Sequence, residues 1–360
     1  MDLLNSFYNI RVKNVNFSPR KLTVPPQQSF RLHGARGVGK SYWVIEYLQA
    51  LPSGSWLYLD CQDPIFALED IDHHQINAFL EEESIDTLVL DHYYDGFLET
   101  LPSVGHLIVV SRLPMPHLNL PAQELYGLDY EEFLSFDRDH TPTHSFNRFL
   151  KVGTLPAMAR RELAARDATL RPFFFASFDE DEGRLMLVMA RFAGRRVTTH
   201  QLYTHAKEYF RISKDRVYRT VQRFEAEKLV YFIPDVTGKG GRKMILYDHA
   251  LSTYLSKTQS FAVTFDMLIA SALIKHGFSF VALGHRGYLY EGELILPAAF
   301  ETEEKVWKYV YDRMKLFLKY GVHHAWVVTI SNRFSFALGT GRTQIVFEGI
   351  PFYEWSIVNA

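Results

Sequence analysis

Eight consecutive residues constrain this chain more than any others: Gly34-Ala35-Arg36-Gly37-Val38-Gly39-Lys40-Ser41. They follow the spacing G-x-x-x-x-G-K-[ST], after the apolar run SFRLHG (29–34) and before SYWVIEYLQAL, a helical pattern. A glycine loop between a strand and a helix suits phosphate. The glycines let successive N–H groups turn inward as a concave nest, and the helix N-terminus adds partial positive charge. Lys40 is expected to neutralise the β- and γ-phosphates, and Ser41 to offer its hydroxyl to Mg²⁺. No Asn-Lys-x-Asp guanine motif occurs, so ATP with Mg²⁺ is the expected ligand pair.

The loop sits in a repeated strand–helix order. SWLYLD (55–60), DTLVLD (86–91) and HLIVVS (106–111) are short apolar runs, as expected of parallel strands buried on both faces. HHQINAFLEEE and a shorter piece around DGFLETLP supply further helical crossovers. The reading is an α/β fold, a P-loop NTPase parallel sheet, over residues 1–165. YGLDYEEFLSF and HSFNRFLKVG (126–153) read as helices added to one side of it.

The rhythm breaks at RDATLRPFFFASFDEDE (166–182), read as a domain junction with a solvated acidic loop. From 183 to 256 the pattern becomes three helices and a hairpin: GRLMLVMARFAG, TTHQLYTHAKEYF, SKDRVYRTVQRFEAEKL and KLVYFIPDVTGKGGRKMILYD. That order predicts a winged-helix domain, with Thr198 or Thr199 and Ser213 as helix caps. Residues 257–360 alternate strands and helices again, including one long helix at 301–320, as a small α/β nuclease-like domain. No internal repeat is visible.

Several residues are candidates for chemistry. Asp91, ending an apolar run about fifty residues past the loop, is expected to help hold the metal together with Ser41. Many hydrolysing relatives place a glutamate directly after this aspartate to polarise water; here the next residue is His92. Asp91 and His92 are therefore the catalytic candidates, with Asp95 nearby. Ser111 ends a further strand, where a polar side chain can sense the γ-phosphate or simply close the strand, and Arg112 follows. In the third helix Lys214, Arg216, Arg219 and Arg223 form a basic set, the last three on one face. The wing adds Lys239, Arg242 and Lys243, so helix and wing together predict contact with DNA phosphates. The bland alternative is a solvated basic face. Glu291, Glu293 and Asp266 are candidate nuclease carboxylates, but no acid-x-lysine strand follows, and Lys305 and Lys308 read as solvent-facing. His323-His324 are adjacent and lack metal-ligand spacing.

Composition narrows the classes. Lys and Arg total 39 against 41 Asp and Glu, so DNA contact has to be a local patch. Cys61 is the single cysteine, which excludes an internal disulfide or a cysteine-based zinc site and fits a reducing compartment. The N-terminal stretch MDLLNSFYNIRVKN lacks a signal peptide's apolar core. FDMLIASALIKHGFSFVAL (265–283) carries Asp266, Lys275 and His276, against a membrane span. A cytoplasmic protein without a membrane partner is expected.

GARGVGKS (34–41), LVLD (88–91), LIVVSR (107–112), YGLDYEEFLSF (126–136), FLKVGTLPAM (149–158), GRKMILYDHAL (241–251), EGELIL and the terminal IPFYEWSIV together resemble the archaeal-type AAA-like P-loop ATPase family. In that family a winged helix and a degenerate restriction-endonuclease-like domain follow the ATPase. The family places a proline-leucine-serine and glutamate-phenylalanine pattern, then paired glycines with phenylalanine-proline, where 126–136 and 149–158 stand here. The resemblance implies an ATP-dependent, regulatory or DNA-associated function, acting through the winged helix on DNA or a DNA-bound partner. The alternative is a non-hydrolysing ATP-binding interaction protein, such as a clamp-loader-like replication subunit with a protein partner or further copies of itself. Three departures stand out: His92 for the glutamate, Gly153-Thr154 for the paired glycines, and no lysine strand in the last domain. They predict slow hydrolysis and no nuclease activity.

Overall fold

The four apolar runs form strands of one sheet. In the computed structural model, which describes residues 2–8, 17–25, 27–137, 141–340 and 343–358, they are β1 (Phe30–His33), β2 (Trp56–Asp60), β3 (Thr87–Asp91) and β4 (His106–Val110). Part of the N-terminal stretch read for a signal peptide, residues 9–14, lies outside the described residues. A short edge strand, β5 (Ala122–Glu124), completes the sheet and has no apolar run to announce it. Every neighbouring pair is parallel, in the order β2-β3-β4-β1-β5. β3 is buried throughout and β4 at four of its five residues, which explains their unbroken apolar sequence. The helices of this part are α1 (Asp2–Tyr8), α2 (Lys40–Gln49) and α3 (His73–Glu82). Asp72 starts α3 with a capping box, its carboxylate accepting from Gln75 N–H.

The piece around DGFLETLP is not a helix. The chain crosses from β3 to β4 through turns, with Gly96 at a φ of 91°. Leu98 is buried and Phe97 and Leu101 half-buried against Leu88, Leu90, Leu107 and Val109. Apolar side chains thus cover the sheet here without helical hydrogen bonds.

The chain divides into two compact units, Met1–Gly127 and Leu128–Ala360. The first is therefore shorter than the expected 1–165, because the helices after it belong to the second unit. These are α4 (Tyr130–Phe136), α5 (Pro142–Val152) and α6 (Pro156–Ala159). Residues 166–182, expected as a junction, instead hold α7 (Arg166–Ser177) and the start of α8 (Glu180–Phe192). The acidic cluster is a helix cap and not a loop: Asp179 accepts from Glu182 N–H, and Glu182 is buried.

Beyond α8 come β6 (Arg196–Val197), α9 (Thr199–Tyr209), α10 (Lys214–Ala226), β7 (Val230–Ile233) and β8 (Arg242–Leu246). β6-β8-β7 is a three-stranded antiparallel sheet, so the element order is that of a winged helix. Thr198 caps α9 and Ser213 caps α10. Then follow α11 (His249–Ser256), α12 (Phe261–Lys275), β9 (Val281–Ala282), β10 (Tyr288–Tyr290) and β11 (Glu293–Pro297). The expected long helix breaks into α13 (Glu303–Tyr311) and α14 (Met314–Lys319), before β12 (His324–Thr329), β13 (Phe334–Thr340), β14 (Thr343–Pro351) and α15 (Phe352–Val358). The last sheet runs β13-β14-β12-β11-β10-β9, with β11, β12 and β14 parallel.

Buried polar contacts bind the second unit together. Lys275 of α12 pairs with Asp129 at 3.0 Å and with Glu132, at the start of α4. Asp248 accepts from both the N–H (2.6 Å) and the hydroxyl (2.8 Å) of Thr154, while its other oxygen caps α11 through Leu251 N–H. Phe146 stacks on Phe352 with ring centres 5.8 Å apart. No helix among the described residues is long and apolar enough to cross a membrane.

Candidate nucleotide-binding site

Loop 34–41 joins β1 to α2 at the carboxyl end of the parallel sheet, where open α/β sheets bind ligands. Three of its residues need glycine. Gly34, Gly37 and Gly39 have φ of 149°, 79° and 96°, a region that a Cβ disfavours. Gly34 is also a close-approach point, since a Cβ there would stand 2.2 Å from the Leu125 carbonyl oxygen. Ala35 and Val38 are buried and anchor the loop from below, while Gly37 is exposed. Arg20 clamps it from outside, donating to the Val38 and Tyr126 carbonyls at 2.8 and 2.6 Å.

The α2 N-terminus has no side-chain cap and no acidic residue in its first turn, so its N–H groups and positive dipole are offered to an anion. Lys40 Nζ donates back to the Gly34 and Ala35 carbonyls at 2.8 and 3.0 Å, which keeps the ammonium across the loop. These features fit the phosphate chain of a nucleotide. Arg36 is half-exposed on the loop.

The metal candidates are linked through a residue that sequence reasoning missed. Asp91 is fully buried; its Oδ2 accepts from the Tyr58 hydroxyl at 2.5 Å and its Oδ1 from His92 N–H at 2.7 Å. The Ser41 side chain lies beside the same Tyr58 hydroxyl, near enough to lower its pKa slightly. Burial, reinforced by the Asp91 charge, pushes the Tyr58 phenol far above its ordinary range, so it stays a donor. A hydroxyl and a carboxylate gathered around one phenol are hard oxygen donors of the kind Mg²⁺ prefers.

Beside them stands a second carboxylate. Asp60 is the register partner of Asp91, and its Oδ1 lies 2.8 Å from His92 Nδ1. Asp60 raises the His92 pKa chiefly by this hydrogen bond. Burial works against ionising Asp60, yet the His92 bond and the Gln62 N–H hold its carboxyl below the usual range. The clue in the sequence was the shared ending of SWLYLD and DTLVLD, with Tyr58 and Asp60 on one face of β2 by the two-residue period. Arg20, far from the loop in sequence, carried no such signal.

Ser111 is buried at the end of β4, donating to the Leu113 carbonyl at 2.5 Å. Asp95 pairs with His117 at 3.0 Å. Cys61 is buried, and desolvation with the charges of Asp91 and Asp60 pushes its thiol well up, which leaves it unreactive.

In the second unit the basic set divides. Lys214, Arg219, Lys239 and Arg242 are exposed, and Arg216 is half-exposed. Arg216 pairs with Asp179 at 3.0 Å, Arg223 with Glu182, and Arg242 with Glu225 at 2.9 Å. Lys243 requires a correction: it is 1 % exposed, paired with Asp266 at 2.6 Å, and sits over the Tyr288 ring. A side chain sealed in this way cannot reach DNA. β8 is buried on both faces from Lys243 to Leu246, which a count of basic residues does not reveal. The same pairing accounts for Asp266, whose Oδ1 also accepts from Tyr288 at 2.9 Å. Glu293 is engaged elsewhere, accepting from Trp326 Nε1 at 3.1 Å beside His324. Asp266 and Glu293, two of the three nuclease-carboxylate candidates, therefore sit with different partners. No group of three or more metal-ligating side chains is present among the described residues.

The wing is fixed at its base. Val236 N–H donates to the Ala282 carbonyl at 2.9 Å and Ala282 N–H to Pro234 at 2.8 Å, while Asp235 accepts from Thr237 and Gly284 N–H.

No family model and no curated protein matches the chain. Among solved structures it is similar to the Walker-type ATPase of Pyrococcus abyssi, at 12% identity and a TM-score of 0.45, over 63% of this chain and 90% of that one. It is also similar to the Aeropyrum pernix ORC1 protein in complex with DNA, at 12% identity and a TM-score of 0.30, over 64% and 87%. The parallel five-stranded sheet, with its glycine loop between β1 and α2, is a P-loop NTPase α/β fold.

Proposed function

We propose that the protein binds ATP with Mg²⁺ on loop 34–41 and hydrolyses it slowly. The observation that carries this is the loop itself: three left-handed glycines, an uncapped helix N-terminus and Lys40 held across the opening. Ser41 and Asp91 would hold Mg²⁺, which supplies charge neutralisation on the phosphates when bound. Lys40 and the α2 N–H groups bind and orient the phosphate chain. Tyr58 holds the Asp91 carboxylate by its hydrogen bond, and Ser111 is a candidate contact for the γ-phosphate. His92, where a glutamate is usual, supports slow turnover.

The winged-helix segment, 183–256, carries the nucleotide signal to DNA or a DNA-associated partner. Lys214, Arg219 and Lys239 supply exposed cations, with Arg216, Arg223 and Arg242 able to exchange carboxylate for phosphate. Residues 257–360 serve as a structural or interaction domain, and the reading places the protein in the cytoplasm, where ATP is available. The second reading is an ATP-binding interaction protein that does not hydrolyse, docking a protein partner or further copies of itself. It is favoured by the carboxylates already seated on three of the basic residues.

Binding of a fluorescent ATP analogue to the full chain and to Lys40→Ala tests the site, and equal affinity would overturn it. Phosphate release with and without duplex DNA separates the two readings.

A further inference from the structure

We propose that His92 orients the water that attacks the γ-phosphate, and that Asp60 is the positioning residue that holds His92 for this task. The inference rests on the nucleotide reading above and adds a residue and a role to it. Two backbone features and one contact of the ring fix the imidazole. His92 has a φ of 52°, which a non-glycine residue adopts only when surrounding structure imposes it. That turn lets its N–H bond Asp91 Oδ1 at 2.7 Å. It also places Nδ1 2.8 Å from Asp60 Oδ1, at the carboxyl ends of two paired strands. Asp60 is itself fixed, its Oδ1 accepting from Gln62 N–H at 3.0 Å.

A carboxylate on Nδ1 selects the tautomer with the proton there, leaving Nε2 as the acceptor. An acceptor fixed beside Asp91 can receive a hydrogen bond from a water and aim its oxygen, the part played by a water-positioning residue in phosphoryl transfer. In the reaction the water oxygen bonds to the γ-phosphorus. The bond from that phosphorus to the β,γ-bridging oxygen breaks, and its electron pair leaves with ADP. Both water hydrogens stay with the product as dihydrogen phosphate, which releases one to solvent at neutral pH.

The test measures three quantities on the full chain: affinity for a fluorescent ATP analogue, single-turnover phosphate release, and the histidine tautomer by ¹⁵N NMR without nucleotide. Asp60→Ala is expected to slow release about 10–100-fold, by analogy with the loss of the hydrogen-bond partner that orients a metal-ligating histidine. Its nucleotide affinity should stay within about twofold of the parent, because the hydrogen bonds of Asp60 run to Gln62 and His92 and not to loop 34–41 among the described residues. His92→Ala should show the same loss, and the double variant no more than either single. Asp60→Asn keeps an acceptor in place and should recover most of the rate. The Nδ1–H tautomer of His92 should be present in the parent and mixed in Asp60→Ala. Parent-like release in Asp60→Ala and His92→Ala, an Nε2–H tautomer in the parent, or ATP that stays bound and intact would each overturn the inference. Absence of ATP binding in the parent would instead overturn the nucleotide reading beneath it.

Discussion

Lys243→Met removes a cation that the second unit has sealed from water, and its consequence can be worked from the surroundings. Lys243 is 1 % exposed and Asp266 9 %, with 2.6 Å between ammonium and carboxylate. Tyr288 donates its hydroxyl to the same carboxylate, and burial together with Asp266 pushes that phenol well above its ordinary range. Removing one partner strands the other charge in a medium that cannot solvate it, at a cost of about 3–5 kcal/mol. For a unit of this size that corresponds to a fall in thermal midpoint of about 6–20 °C, at about 2–4 °C per kcal/mol. Asp266→Asn should lose a similar amount. The double variant discards both charges and keeps an acceptor for Tyr288, so it should return to within about 2 kcal/mol of the parent. Urea titration and calorimetry of the four proteins form a double-mutant cycle. A loss below about 1 kcal/mol in Lys243→Met, or strictly additive losses, would refute the buried-pair reasoning. A folded, equally stable Lys243→Met with weakened DNA affinity would return Lys243 to the surface role read from the sequence.

Four further outcomes follow from other contacts. Gly34→Ala forces a Cβ against the Leu125 carbonyl at 2.2 Å, and should destabilise the first unit by about 2–4 kcal/mol and abolish ATP-analogue binding. Asp248→Ala strands the N–H and hydroxyl of Thr154 and uncaps α11, so urea unfolding of the second unit should show a loss of about 2–4 kcal/mol. His249 is buried, with Nε2 3.0 Å from the Phe149 carbonyl, and burial lowers its pKa although Asp248 works the other way. A depressed folded pKa means the unfolded chain takes up the proton first, so stability falls as pH drops below about 6.5, by at most about 1.4 kcal/mol per unit; His249→Gln should flatten that slope. DNA affinity should fall steeply with salt, and neutralising Arg219 and Lys239 should reduce the slope of log K against log salt by about 1 each.

The phosphate loop was legible because its chemistry is local. Gly34, Gly37 and Gly39 need positive φ within one loop, and eight neighbouring residues state that need directly. The buried runs and the helix caps at Thr198 and Ser213 were equally local. Where residues met across the fold, sequence fell silent. Asp60 and His92, 32 positions apart, meet because β2 and β3 pair in register. The crossover at DGFLETLP misled because its apolar pattern satisfies the sheet without a helix.

What the sequence alone determined, then, is a strand–loop–helix grip suited to phosphate and the order of elements after it, since periodicity and backbone constraint act between near neighbours. The tertiary structure decided which polar groups spend their charge on one another. Lys243 and Asp266, both plausible surface groups by residue type, neutralise each other inside the second unit. Tyr58, read only as strand, donates its hydroxyl to Asp91 beside Ser41. Whether a charge faces solvent, a ligand or a buried partner depends on the face of its strand and on what long-range packing brings against it, and neither is written in the residue itself.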